Sequence, residues 1–193
     1  MNRICVFCGS RPGARPEYAA GARELGAALV EAGLTLVYGG GRVGLMGIIA
    51  DEVLARGGEV IGVIPRQLWK REVGHAAVAD LRIVGSMHER KALLSDLADG
   101  FVALPGGVGT FEEIFEVWTW AQLGVHRKPC GLLDLGGYYR PLLGFLDQAT
   151  AEGFLDPVTR RSLIVEEEPA ELLRRFATYE APQVRHWIDA EET

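Results

Sequence analysis

The residues with the most evident chemistry lie at positions 105–113, Pro-Gly-Gly-Val-Gly-Thr-Phe-Glu-Glu, directly behind the apolar run Phe101, Val102, Ala103 and Leu104. That order reads as a strand, a glycine turn and then a helix. Gly106, Gly107 and Gly109 let backbone N–H groups crowd towards a ligand, and the helix that follows adds unsatisfied amides and the positive end of its dipole. Such a turn suits an anion, most often a phosphate. Glu112 and Glu113 run against this: in a first helical turn they would stabilise the helix by up to about 1 kcal/mol but would oppose a phosphate. They are either helix-start residues or groups that perform chemistry beside a bound phosphate. Thr110-x-x-Glu113 also fits a capping box, in which the two side chains satisfy backbone donors at the helix start.

A second charged group, residues 87–91 (Met-His-Glu-Arg-Lys), opens a segment with the apolar stripe Leu93, Leu94 and Leu97. Arg90 precedes those residues by three, four and seven positions, so it heads the inward face of a helix. A buried guanidinium wants an anion, supplied by a ligand or by a protein carboxylate. Lys91 offers a second charge beside it, and Ser86 is the expected cap. Residues 39–44, Gly-Gly-Gly-Arg-Val-Gly, match the spacing of a dinucleotide fingerprint. The acid that should end the next strand and hold the ribose is missing, since Glu59 begins that strand and Pro65 follows it, so NAD and FAD are not expected.

Cys5 and Cys8 are three apart within a predicted strand and face opposite sides, which disfavours a redox pair; with Cys130 they read as buried structural thiols. The only lysines are Lys70, Lys91 and Lys128, and nothing supports a Schiff base to a cofactor. His75, His88, His126 and His186 lack metal-ligand spacing, and no G-x-S-x-G nucleophile turn occurs. Neither a cofactor nor a metal is expected.

These groups need a frame. The 193 residues are 48% hydrophobic, enough for one domain with a substantial core, expected over residues 1–180 with a polar, acidic tail at 181–193. Net charge is −6 with no basic block, which argues against nucleic acid or an anionic membrane as partner. The apolar stretch near the N-terminus is too short for a signal peptide or a spanning helix, so a cytoplasmic protein is expected. Strands are predicted at 3–8, 34–38, 59–64, 81–85, 101–104, 130–135 and 162–165. Helices are predicted at 16–32, 44–57, 86–99, 110–124, 138–152 and 169–179. Apolar strands alternating with helices predict an α/β fold, a Rossmann-like three-layer sandwich with a mostly parallel sheet of about seven strands. Ligands gather at the carboxyl ends of such strands, where the loops carrying Ser10, Gly40, Gly41 and the 105–110 turn meet. The predicted 110–124 helix is apolar all round (Phe111, Ile114, Phe115, Val117, Trp118, Trp120 and Leu123), which predicts a homodimer with its site near the interface.

Taken together, residues 38–47 (YGGGRVGLMG), 87–91 (MHERK), 105–113 (PGGVGTFEE) and 119–129 (TWAQLGVHRKP) resemble the LOG family, the cytokinin riboside 5′-monophosphate phosphoribohydrolases, whose members are often labelled lysine decarboxylases. The resemblance spans residue 3 to about residue 180. It implies hydrolysis of the N-glycosidic bond of a nucleoside 5′-monophosphate, giving free base and ribose 5-phosphate. It implies catalytic roles for Arg90 and Glu113, and a nucleotide site lined by Glu72, Lys91, Gly106, Gly107, Val108, Gly109, Thr110, Phe111, Glu112 and Thr119. Where family members often carry a longer glycine- and threonine-bearing loop, this chain has Val73-Gly74-His75, so the base preference stays open. The residues alone also admit a non-catalytic nucleotide or molybdenum-cofactor carrier on the same fold, which would need the loops but not the paired Arg90 and Glu113.

Overall fold

In the computed structural model, which describes residues 1–69 and 74–182, seven strands form one parallel sheet in the order β4-β3-β2-β1-β5-β6-β7. The strands are β1 (Arg3–Phe7), β2 (Thr35–Tyr38), β3 (Val60–Pro65), β4 (Asp80–Val84), β5 (Gly100–Ala103), β6 (Cys130–Leu133) and β7 (Leu163–Glu166). The helices are α1 (Pro16–Glu31), α2 (Gly44–Ala55), α3 (Arg66–Trp69), α4 (Met87–Leu97), α5 (Val108–Leu123), α6 (Arg140–Ala151), α7 (Pro157–Ser162) and α8 (Pro169–Ala177). Among the described residues, no helix is long and apolar enough to cross a membrane.

The inner strands are apolar on both faces because both faces are covered, whereas the edge strand β4 carries Asp80 and Arg82 and is partly exposed. Alternation along β1 sends Ile4 and Val6 into a cluster with α1, α2 and α8, and Cys5 and Phe7 into a second cluster with α4, α5 and α6. Cys5 and Cys8 part in the same way, and all three cysteines are buried and free, as the strand reading required.

Three local differences from the sequence reading have physical reasons. The predicted 130–135 strand ends at Leu133, after which a 3₁₀ turn, Leu135–Gly137, forms with Gly136 at φ 59°. A short helix, α7, falls where none was predicted; Asp156 caps it by accepting from the N–H groups of Val158 and Thr159, with Pro157 preset for the first turn. Most consequential, α5 begins at Val108 rather than at residue 110, because Gly107 already has the extended backbone of a cap.

β1 is flanked by β2 and β5, so the chain leaves it in one direction first and the other later. The crevice above β1 and β5 is the point at which such sheets bind ligands. The 105–110 turn leaves β5 at that point.

Candidate active site

The loops after β1, β2 and β5 are locked together by backbone. Gly9 N–H donates to Pro105 O at 3.1 Å, and Leu45 N–H donates to Gly9 O at 3.0 Å. Gly44 has φ 59°, and a Cβ there would collide with the backbone of Ser10 and Arg11, so only glycine serves. Gly39 is small for a different reason: a Cβ would strike the Arg90 guanidinium, which lies directly over it.

Gly107 and Gly109 differ from both. Neither has a positive φ, and a Cβ built at either would meet nothing within 4 Å. The fold does not require glycine at these positions, whereas a ligand that approaches the backbone there would. The amides at the start of α5 have no intrahelical partners, no side chain caps them, and no acid occupies the first turn. Gly107, Val108 and Gly109 are exposed, Val108 to 83%. A cavity of about 360 Å³ adjoins this turn, walled by Ser10, Arg11, Tyr18, Leu45, Gly107 and Tyr138 among others.

Arg90 and Glu113 do not line that cavity. They meet on the other face of the sheet, from α4 and α5, with Arg90 Nη2 3.0 Å from Glu113 Oε1. Their side chains are 11% and 10% exposed. Arg90 is therefore on the inward face, as its stripe predicted, and Ser86 caps α4 by accepting from Glu89 N–H at 3.1 Å. Glu113 does not satisfy the whole guanidinium: Arg90 Nε is buried without a hydrogen-bond partner.

The capping box is not formed. With Gly107 as the cap, Thr110 and Glu113 are the third and sixth residues of α5, and neither Glu112 nor Glu113 lies in the first turn. Glu113 sits about 7.5 Å along the axis from Val108. Burial pushes its carboxyl above the ordinary 4.5, the Arg90 charge opposes this, and Glu112 adds to the rise. Glu113 is a buried carboxylate facing Arg90 and takes no part in capping α5.

Lys91 is less available than the sequence suggested. Its Nζ donates to Glu112 Oε1 at 2.6 Å and to Glu116 Oε1 at 2.8 Å. Burial alone would lower its pKa, but the bonds to Glu112 and Glu116 outweigh this and raise it. Thr110 is buried against Gly106, Phe111 packs edge-on to Tyr139, and Thr119 is exposed farther along α5. Ser10 is exposed on the cavity wall. Gly40 and Gly41 are covered: Gly40 O accepts from His75 N–H at 3.2 Å, and Gly41 bridges Gly74. Glu72 lies outside the described residues.

Two features escaped the sequence reading. His75 is 2% exposed and its Nε2 is 3.0 Å from Asp51 Oδ1. Tyr138 and Tyr139 reach back to the 105–110 turn, their hydroxyls bonding the carbonyls of Gly106 and Leu104. The Gly-Gly-Tyr-Tyr run at 136–139, two glycines turning the chain just past a strand end, was the available signal.

The chain is assigned to its family on these comparisons. Residues 46–176 match the family described as "Possible lysine decarboxylase". A cytokinin riboside 5′-monophosphate phosphoribohydrolase of Arabidopsis thaliana is 51% identical over 93% of this chain and 83% of its own length. One of Oryza sativa subsp. japonica is 51% identical over 93% of this chain and 74% of its own. The chain belongs to this LOG family of phosphoribohydrolases. Among solved structures, the molybdenum cofactor carrier protein of Chlamydomonas reinhardtii superposes with a TM-score of 0.68 at 21% identity, covering 92% of this chain and 99% of that one. The molybdenum cofactor binding protein of Rippkaea orientalis does so with a TM-score of 0.69, also at 21% identity, over 92% of this chain and 96% of that one. At such identity the likeness speaks for the fold alone.

Proposed function

We propose that this protein hydrolyses the N-glycosidic bond of a purine nucleoside 5′-monophosphate, of cytokinin or adenine type, releasing free base and ribose 5-phosphate. Relatives half identical over nearly the whole chain support the reaction class. The observation that carries the chemistry is the Arg90–Glu113 pair held behind an open anion turn.

Breaking the bond leaves positive charge on the ribose. A carboxylate near C1′ stabilises that oxocarbenium character and orients the attacking water. Glu113 takes this role; the Arg90 charge opposes the rise that burial imposes on its carboxyl and so favours the ionised form. The free amides at the start of α5 hold the 5′-phosphate, with Lys91 neutralising Glu112 and Glu116 so that their charges do not repel it. An acceleration of about 10⁶-fold needs about 8 kcal/mol, more than the roughly 3–4 kcal/mol one electrostatic group supplies, so positioning through the phosphate provides much of the remainder. Residues 1–180 act as one nucleotide-binding hydrolase domain, in a cytoplasmic homodimer.

The test is incubation of purified protein with AMP and, separately, adenosine. Adenine and ribose 5-phosphate should appear from AMP, with kcat/KM at least about 100-fold higher than for adenosine, because phosphate binding energy is used to place the ribose. No release of base from any purine nucleoside monophosphate would overturn the proposal and favour a carrier.

A further inference from the structure

The geometry points to Tyr138 as a positioning residue that sets the phosphate turn through the Gly106 carbonyl. The inference rests on the phosphate assignment above and gives a role to a cavity-wall residue that the proposed reaction leaves without one.

The turn has little to hold it in place. Gly107, Val108 and Gly109 are exposed, and neither glycine has a neighbour within Cβ reach. Gly9 N–H holds the Pro105 carbonyl, and the carbonyls on either side of it are held by the segment after β6. The Tyr138 hydroxyl donates to Gly106 O at 2.5 Å, and the Tyr139 hydroxyl donates to Leu104 O at 2.7 Å. Two consecutive tyrosines therefore hold the carbonyls on either side of Pro105. Tyr139 is fully buried and anchored again where its N–H donates to Asp134 Oδ1 at 2.6 Å. Tyr138 packs edge-on to Tyr139 with centroids 5.0 Å apart, and to Tyr18 at 5.7 Å, so its ring is fixed from both sides.

The consequence follows from peptide planarity. All described peptide bonds are trans, so the Gly107 N–H points opposite to the Gly106 carbonyl. Fixing that carbonyl fixes the first open amide of the α5 start. Among the described residues the Gly107 N–H has no hydrogen-bond acceptor, and Gly107 and Tyr138 both wall the same cavity. Without the Tyr138 hydroxyl, the Gly106–Gly107 peptide plane is free to rotate, since glycine on both sides imposes little barrier. The amide would then be disordered before binding and would have to be ordered by the ligand, which weakens affinity.

The experiment is Tyr138→Phe, which removes one oxygen and keeps the ring packing, with Tyr139→Phe as a comparison for general loosening. Binding of ribose 5-phosphate and of inorganic phosphate is measured by calorimetry, so the result does not depend on turnover. Tyr138→Phe should weaken both ligands at least about fivefold, the scale of one lost hydrogen bond's ordering, while melting stays near wild type. In AMP turnover it should raise KM far more than it lowers kcat, and cost the AMP reaction more than the weak adenosine reaction. Unaltered ribose 5-phosphate and phosphate affinity in a folded Tyr138→Phe would overturn the role, as would equal losses for AMP and adenosine. Failure of wild type to release base while still binding both phosphates would sink the hydrolase reading and leave this one standing.

Discussion

The guanidinium of Arg90 and the carboxylate of Glu113 meet at 3.0 Å across two helices, and the guanidinium lies so close to Gly39 that a side chain there would have to displace it. A glycine loop, an inward arginine and a helix carboxylate thus form one unit. Each member explains a constraint on another, and the pair's chemistry can be separated from its contribution to folding.

Glu113→Gln keeps an acceptor towards Arg90 and deletes the charge. We expect kcat to fall at least about 100-fold, the scale of losing one electrostatic stabiliser. Stability should stay close to that of wild type, because glutamine keeps the acceptor and burial already disfavours the ionised carboxyl in the fold. A double-mutant cycle with Arg90→Met, read by denaturant melts, should show coupling between the sites. A folded Glu113→Gln with wild-type turnover would remove Glu113 from the chemistry.

Acidity offers an independent check. Because burial raises the Glu113 carboxyl above 4.5, the folded protein retains that proton over a range where the unfolded chain has released it. Folding takes up a proton there, so the stability of wild type relative to Glu113→Gln should fall as pH rises from 4.5 through the raised pKa. Below 4.5 both states are protonated and the difference should be flat. The acid limb of kcat/KM should likewise lie above 4.5, since the ionised form is required in the free enzyme. A relative stability that rose with pH across this range would contradict the direction.

The anion turn can be filled without touching the fold. Gly109→Ala replaces a glycine inside α5 with a better helix former at a place where the new methyl meets nothing, so stability should rise by about 0.5–1 kcal/mol. The same methyl should intrude on the bound phosphate. AMP kcat/KM should drop at least about tenfold, and ribose 5-phosphate affinity with it. A more stable, fully active Gly109→Ala would place the phosphate elsewhere.

Phe111, Phe115, Trp120 and Leu123 are only partly buried on α5, although the same helix packs Ile114, Val117 and Trp118 into the core. Light scattering at micromolar concentration should therefore give a dimer, with α5 in its interface. A monomer would show that this face is simply tolerated by solvent.

Much of this was written in the sequence. Seven apolar runs correspond to the seven strands, because in a parallel sheet burial on both faces leaves little room for polar interruption. Arg90 was legible from its stripe, and Ser86 from its place before the helix. The start of α5 was not, because the threonine and glutamate of a capping pattern carry the same letters whether or not they occupy cap positions; Gly107 took the cap first. Lys91 looked like a phosphate ligand because nothing in a linear sequence places Glu116 beside it. The tyrosine contacts with Gly106 and Leu104 span 32 and 35 residues, beyond the reach of any local pattern.

The burial of Cys5, Cys8 and Cys130 equips the molecule with internal reporters of its own breathing. Burial raises each thiol pKa, and Cys5 and Cys130 sit within strands, so a thiol reagent in excess reaches those two sulfurs only when a strand leaves the sheet. Cys5 lies in central β1 and Cys130 in β6, one strand from the edge. The order in which a mass spectrometer sees them modified therefore tells whether the β6–β7 side opens alone or the whole sheet lets go at once.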